Sequence, residues 1–252
     1  MALMSQIAVS IQDLSFRYPG TKHNSLEHLH LEVGAGERFG LFGPNGAGKT
    51  TLMNCMTGLL TLNAGTIRLF GLEPGTNKKQ VNRLFGFVPQ DFSFYHELTP
   101  RENLEFFGAW SGMTRDQIKE RSGQLLEVLE LTHVQNTPVH KFSGGMKRKV
   151  NLAIGVIHNP SILFLDEPTV GVDIQTRNAI ITYLKSLNKD GTTLIYTSHQ
   201  LYEAQELCNT IALLDAGRII AHDSLSSLLS HHREEGLEGL FIQLTGKKFR
   251  DA

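Results

Sequence analysis

Gly43-Pro44-Asn45-Gly46-Ala47-Gly48-Lys49-Thr50, followed by Thr51, is the stretch that decides the fold of this chain. It carries the full G-x-x-x-x-G-K-[ST] spacing. Glycines let successive backbone N–H groups converge on phosphate oxygens with no Cβ in the way. Residues 38–42 before it read as a short buried strand and residues 49–60 after it as an apolar helix, whose N-terminus adds its dipole. This arrangement aims Lys49 at the β- and γ-phosphates of a nucleotide and the Thr50 hydroxyl at Mg²⁺. A plain glycine-rich turn accounts for the glycines but not for Lys-Thr at that offset.

Outward from the loop, the pattern alternates strands with helices. Residues 7–18 alternate apolar and polar, as do Leu29, Leu31 and Val33, with Gly34-Ala35-Gly36 as a turn; 66–70 and 84–88 are further strands. From about 91 to 159 the periodicity is helical. Thr99-Pro100-Arg101-Glu102 is a helix start, with Thr99 as N-cap and Glu102 closing a capping box; 124–131 and 146–157 continue as helices. Strand 161–165, helix 174–187, strand 192–197, helix 201–208 and strand 211–214 follow, then two weak helices around a polar break at 231–236. The expected fold is α/β, a mostly parallel sheet in a domain over 1–225, with an inserted α-helical subdomain at about 91–159 and a helical tail over 226–252.

Ile162-Leu163-Phe164-Leu165-Asp166-Glu167 is an apolar strand that ends in two carboxylates. Such a strand delivers Asp166 to the C-terminal edge of the sheet, where open α/β sheets bind ligands. Asp166 is the candidate Mg²⁺ holder, and Glu167 the group that polarises a water attacking the γ-phosphate. Kinases and GTPases share the phosphate loop, so these residues leave the class open. Asn188-Lys189-Asp190 lacks the intervening residue of a guanine-specificity motif and reads as a polar turn.

Composition narrows the partners. With 24 Lys+Arg against 25 Asp+Glu, the chain lacks the basic excess of a polyanion binder, and no nucleic acid is expected. Its one dense basic cluster, Lys147-Arg148-Lys149, reads as a solvated helix face. Cys55 and Cys208 have no CxxC spacing and read as buried thiols of a reducing compartment. No apolar run approaches a membrane span and the N-terminus lacks a signal-peptide pattern, so the expected location is cytoplasmic.

Phe142-Ser143-Gly144-Gly145-Met146, just upstream of the acidic strand, resembles the signature of ABC ATPases, usually Leu-Ser-Gly-Gly-Gln. It differs at Phe142 and Met146. The Met-containing form followed by Lys147-Arg148 resembles that of exporters of drugs, polysaccharides and lipids. The resemblance covers about 7–224. It implies a P-loop NTPase core with an antiparallel β subdomain beside the parallel sheet, binding ATP and Mg²⁺. By the same resemblance Gln90, after Phe87-Val88-Pro89, senses Mg²⁺ and the water, and His199 contacts the γ-phosphate. Asp173, in Val170-Gly171-Val172-Asp173, crosses a dimer interface, and Tyr18, with Phe16 as a near rival, stacks on adenine. Ser143, Gly144 and Gly145 face the γ-phosphate held by a second subunit.

The implied function is that of an ATP-hydrolysing motor subunit of an ABC membrane transporter, of exporter type. It works as a homodimer, or a heterodimer with a second ABC ATPase, against a polytopic membrane permease at the cytoplasmic face. Phe92, Phe94 and Tyr95 are candidates for lining the groove that receives the permease. The alternative is a soluble ABC-type regulatory or mechanochemical ATPase. It is disfavoured by the single motif set, the absence of long heptads and the balanced charge. A small-molecule kinase has no use for the signature.

Overall fold

The computed structural model describes residues 6–198 and 201–246. Two sheets organise them. Strand β1 (Ile7–Phe16) is the centre of a three-stranded antiparallel sheet, between β2 (Leu26–Gly34) and β4 (Ala64–Leu69). The alternation read in the sequence puts Val9, Ile11, Leu14 and Phe16 of β1 in the core. The register slips between Ile11 and Leu14, where Asp13 adopts a left-handed backbone at φ 49°, so a bulge keeps Leu14 facing inward.

The larger sheet has the order β5 (Phe85–Val88), β6 (Ile162–Asp166), β7 (Thr193–Thr197), β3 (Arg38–Phe42), β8 (Thr210–Asp215), β9 (Arg218–Ser224). The first five run parallel, and β9 pairs antiparallel with β8 through a turn in which Ala216 and Gly217 both have positive φ. The continuous apolar run of β6 is explained by cover on both faces. Ile162 and Phe164 join Ile195, Ala212, Leu214, Phe39 and Leu41 in a core shared with α1 (Lys49–Met56) and the antiparallel sheet. Leu163 and Leu165 join Leu194, Tyr196, Ile211 and Leu213 in the opposite core, under α5 (Gly144–Val156), α6 (Ile174–Lys189) and α7 (Leu201–Leu207).

Between β5 and β6 lie α3 (Pro100–Trp110), α4 (Arg115–Val128) and α5. The capping box of Thr99 and Glu102 is formed, with Pro100 in the first turn, and Thr114 with Gln117 makes a second one at the start of α4. The tail helices α8 (Leu225–His232) and α9 (Leu237–Thr245) fold back so that Leu228, Leu237 and Leu240 are buried in the same core as Leu207 and Cys208 of the α7 end, and Phe241 is buried as well. Helix α2 (Lys78–Leu84) and strand β9 have no counterpart in the sequence reading, because neither carries a continuous apolar stripe.

One reading is overturned. Lys147-Arg148-Lys149 is not a solvated face: Arg148 is only 4% exposed. Residues Val150 to Val156 are buried on every side, which makes α5 a central helix. Arg148 therefore points into protein, while Lys147 and Lys149 on either side of it are half-buried. Cys55 and Cys208 are buried free thiols, and burial pushes the Cys55 thiol up to about 12.

Candidate nucleotide site

Strand β3 ends between β7 and β8, and the glycine loop leaves it at the C-terminal edge of the sheet. Gly48 is the N-cap of α1 with φ 108°, a conformation side-chain-bearing residues rarely adopt, and it supplies no side-chain cap. The first backbone N–H groups of α1 thus have no capping side chain and suit an anion. Lys49 is 7% exposed, and its Nζ donates to the Gly43 carbonyl at 2.7 Å and the Pro44 carbonyl at 3.2 Å, spanning the loop. Burial pulls its pKa down, while the nearby Glu167 and Asp166 carboxylates push it back up.

Asp166 and Glu167 stand at the same edge. The Thr197 hydroxyl, at the end of neighbouring β7, donates to Asp166 Oδ1 at 2.6 Å. Burial holds the Asp166 carboxyl above the usual carboxylate range, and hydrogen bonds from Thr197 and Thr50 oppose that. The influence of Thr50 on Asp166 puts the α1 hydroxyl near the β6 carboxylate, a pair of hard oxygens suited to Mg²⁺. Glu167 takes a left-handed backbone, φ 50°, a conformation that costs about 1 kcal/mol for a residue with a Cβ. Its N–H is held by the Thr197 carbonyl at 3.2 Å and hydroxyl at 3.3 Å. The strained turn presents the side chain to the cleft rather than along the strand.

That cleft has a volume of about 1220 Å³, and Tyr18, Lys49, Thr50, Thr51, Gln90 and Glu167 all line it together with Asn45, Gly46 and Gly48. Phe16 is 4% exposed and packs edge-on against the Tyr18 ring at 4.9 Å, so of the two aromatics only Tyr18 offers a face to a ligand. The Tyr18 hydroxyl lies 3.2 Å from Thr51 Oγ1. Gly43, Pro44, Ala47 and Asp166 are not part of this lining: Gly43, Ala47 and Asp166 are buried and Pro44 is half-buried.

Ser143, Gly144, Gly145 and Asp173 do not line the cleft. Ser143 is the N-cap of α5 and accepts from the Met146 N–H at 3.3 Å; Asp173 is the N-cap of α6 and accepts from the Thr176 N–H and hydroxyl. The two helix starts abut: a Cβ on Gly145 would lie 2.9 Å from Thr176 Oγ1. Ser143, Gly144 and Asp173 are exposed. The candidate residues therefore fall into a cleft and a separate surface. His199 lies outside the described residues.

Three buried groups around the site were not read from the sequence. Thr197 fixes Asp166. Glu203, 1% exposed, accepts from Thr169, Tyr196, Ser198 and Arg177, which joins the segment after Glu167 to the end of β7 and to α6. Arg148 reaches the Gln90 carbonyl. Of these, only Arg148 left a signal, a charge preceding the all-round apolar run of α5. The aromatic trio also divides: Phe94 is 7% exposed and in the core, Phe92 is half-buried beneath Arg148, and Tyr95 is 50% exposed. Tyr95 instead groups with Phe106 and the 81% exposed Trp110.

Comparison with known proteins gives this arrangement its family. Residues 26–170 match the sequence profile of the ABC transporter family. The chain is 39% identical over 209 residues to the linearmycin resistance ATP-binding protein LnrL of Bacillus subtilis (strain 168), covering 83% of this chain and 67% of that one. It is 40% identical over 207 residues to the Nod factor export ATP-binding protein I of Cupriavidus metallidurans, covering 82% and 68%. A solved ATP-binding subunit of an ABC transporter superposes with a TM-score of 0.87 at 28% identity, covering 94% of this chain and 99% of that one. The ATP-binding cassette MJ0796, solved as a dimer in a post-hydrolysis state bound to ADP and Pi, superposes with a TM-score of 0.79 at 25% identity, covering 86% and 98%. With its phosphate loop, acidic strand and Ser-Gly-Gly helix start placed as described, the chain belongs to the ABC transporter family, among its ATP-binding subunits.

Proposed function

We propose that the chain hydrolyses ATP in a head-to-tail dimer and thereby drives a membrane exporter. The observation that carries this reading is the division of the candidate residues into a cleft and a separate exposed surface. A nucleotide on Lys49, Thr50 and Thr51 in one copy lacks the Ser143 and Asp173 surface, which a second copy, or a related ATPase, supplies. The dimeric form of the relative MJ0796 supports this.

In the closed dimer, the backbone N–H groups of Asn45 to Gly48 and the Lys49 ammonium bind the β- and γ-phosphates, and Tyr18 stacks on adenine. Thr50, Asp166 and Gln90 would hold Mg²⁺, which when bound would neutralise phosphate charge. Glu167, turned into the cleft by its backbone, orients the attacking water and accepts its proton. His199 and the opposing Ser143 and Gly144 stabilise charge on the transferring phosphoryl group. Once that group is gone, the charge bridging the two copies is lost and the dimer opens.

Among the described residues no helix is long and apolar enough to cross a membrane. The proposed transport runs through a membrane-spanning permease partner. Tyr95, Phe106 and Trp110, beside a groove of about 840 Å³ between the helical insert and the core, are proposed to receive it. The export direction follows the Nod factor export relative and the form of the signature around Met146.

The test is Glu167→Gln. This variant should bind Mg-ATP, run as a stable dimer in size-exclusion chromatography with light scattering, and lose at least about a hundredfold in turnover. A variant that stays monomeric with Mg-ATP, while the native chain hydrolyses it, defeats the dimer reading.

A further inference from the structure

Arg148 is the buried charge that the nucleotide site leaves unexplained. Its Nη1 donates to the Gln90 carbonyl at 2.8 Å and approaches the Pro89 carbonyl at 3.4 Å. Its Nη2 approaches the Val170 carbonyl at 3.4 Å, and the guanidinium lies 4.8 Å over the Phe92 ring. Asn151, one turn further along α5 and 1% exposed, donates to the same Pro89 carbonyl at 3.1 Å and accepts from the Ser93 N–H at 3.4 Å. One face of α5 thus grips both the loop that carries Gln90 and the loop that leads to Asp173.

We infer that Arg148 is the positioning residue that couples the chain's own ATP site, through Gln90, to the helix whose start at Ser143 contacts the ATP of the opposing copy. This rests on the dimer reading above. Ser143 and Arg148 lie on one unbroken helix, about 7.5 Å apart along its axis. The helix is continuous in its backbone hydrogen bonding and its following turns, Val150 to Val156, are clamped in the core, so its first turns move with Arg148 as one body. Contact at Ser143 is therefore felt at Arg148, and through its two donors at Gln90 and Val170. Linkage makes the effect reciprocal: ATP that orders Gln90 also sets where Ser143 is presented. The planar fork is what allows one side chain to reach two loops at once, and a lysine ammonium cannot reproduce it.

The role is tested in the Glu167→Gln background, where ATP binding and dimerisation are read separately. Arg148→Lys keeps charge and length, and Arg148→Met keeps the packed stem. Both double variants should bind Mg-ATP with an affinity within about twofold of Glu167→Gln alone, yet need about tenfold more protein to dimerise. With Glu167 intact, each should lose about tenfold in kcat with KM for ATP little changed. Lys149→Met, on the same helix but paired with the exposed Glu130, should match the native chain. If Arg148→Met does not fold, Arg148→Lys, checked by its melting curve, carries the test. Unchanged dimerisation in the folded variants, or a loss that merely tracks the folded fraction, overturns the inference. Failure of Glu167→Gln itself to dimerise removes the underlying reading instead.

Discussion

Asp166 shows how a single residue can oppose stability for the sake of chemistry. Burial raises its folded-state pKa above the unfolded value. The stability associated with such a group is fully present below the unfolded pKa and is lost as pH rises through the folded one. At neutral pH the ionised carboxylate is therefore a burden on the fold. Asp166→Asn, which can still accept from Thr197, should abolish hydrolysis yet melt above the native chain without nucleotide, with a gap that opens as pH rises from the ordinary carboxylate pKa through the raised one and then levels off. Thermal melts across that range check this, and a variant less stable than native at neutral pH contradicts it. Lys49 is different in kind. Its ammonium spans the Gly43 and Pro44 carbonyls. Lys49→Ala should lose tight ATP binding, read by fluorescent-nucleotide titration, rather than turnover alone.

At the scale of elements, local chemistry and packing divide the work. The Thr99 capping box is local: its hydroxyl accepts from the Glu102 N–H and its own N–H donates to Glu102. Thr99→Ala should destabilise the chain by about 1 kcal/mol in urea unfolding, with kcat little changed. For β6, packing matters more than local chemistry. Leu163→Ala, in a fully buried strand with a second core on its other face, should cost about 2–5 kcal/mol. The capping box was readable because all its groups lie within four consecutive residues. The solvated-face reading of Lys147 to Lys149 failed at Arg148 because exposure belongs to the packed molecule. Nothing within α5 announces that the loop after β5 and the loop before α6 close over Arg148.

At the scale of the whole molecule, the exposed aromatic run on the helical insert is an energetic liability unless something covers it. Trp110→Glu should sharply reduce the amount of a multi-span protein that co-purifies with the tagged chain from gently solubilised membranes. Recovery of only soluble partners, from the native chain as well, would favour a regulatory ATPase over a transporter subunit.

The sequence by itself determined the phosphate loop, the acidic strand, the Ser-Gly-Gly helix start and the alternation of strands with helices, because each is written in contiguous residues whose spacing matches a backbone period. Only the tertiary structure decided that Thr197 secures Asp166 from 31 residues away, that Tyr18 rather than Phe16 faces the cleft, and that Arg148 is buried. It also separated the signature surface from the cleft. These depend on the strand order β5-β6-β7-β3-β8-β9, in which neighbours in space are distant in the chain. Such pairings are fixed by the packing of two cores against one sheet, and no local pattern encodes them.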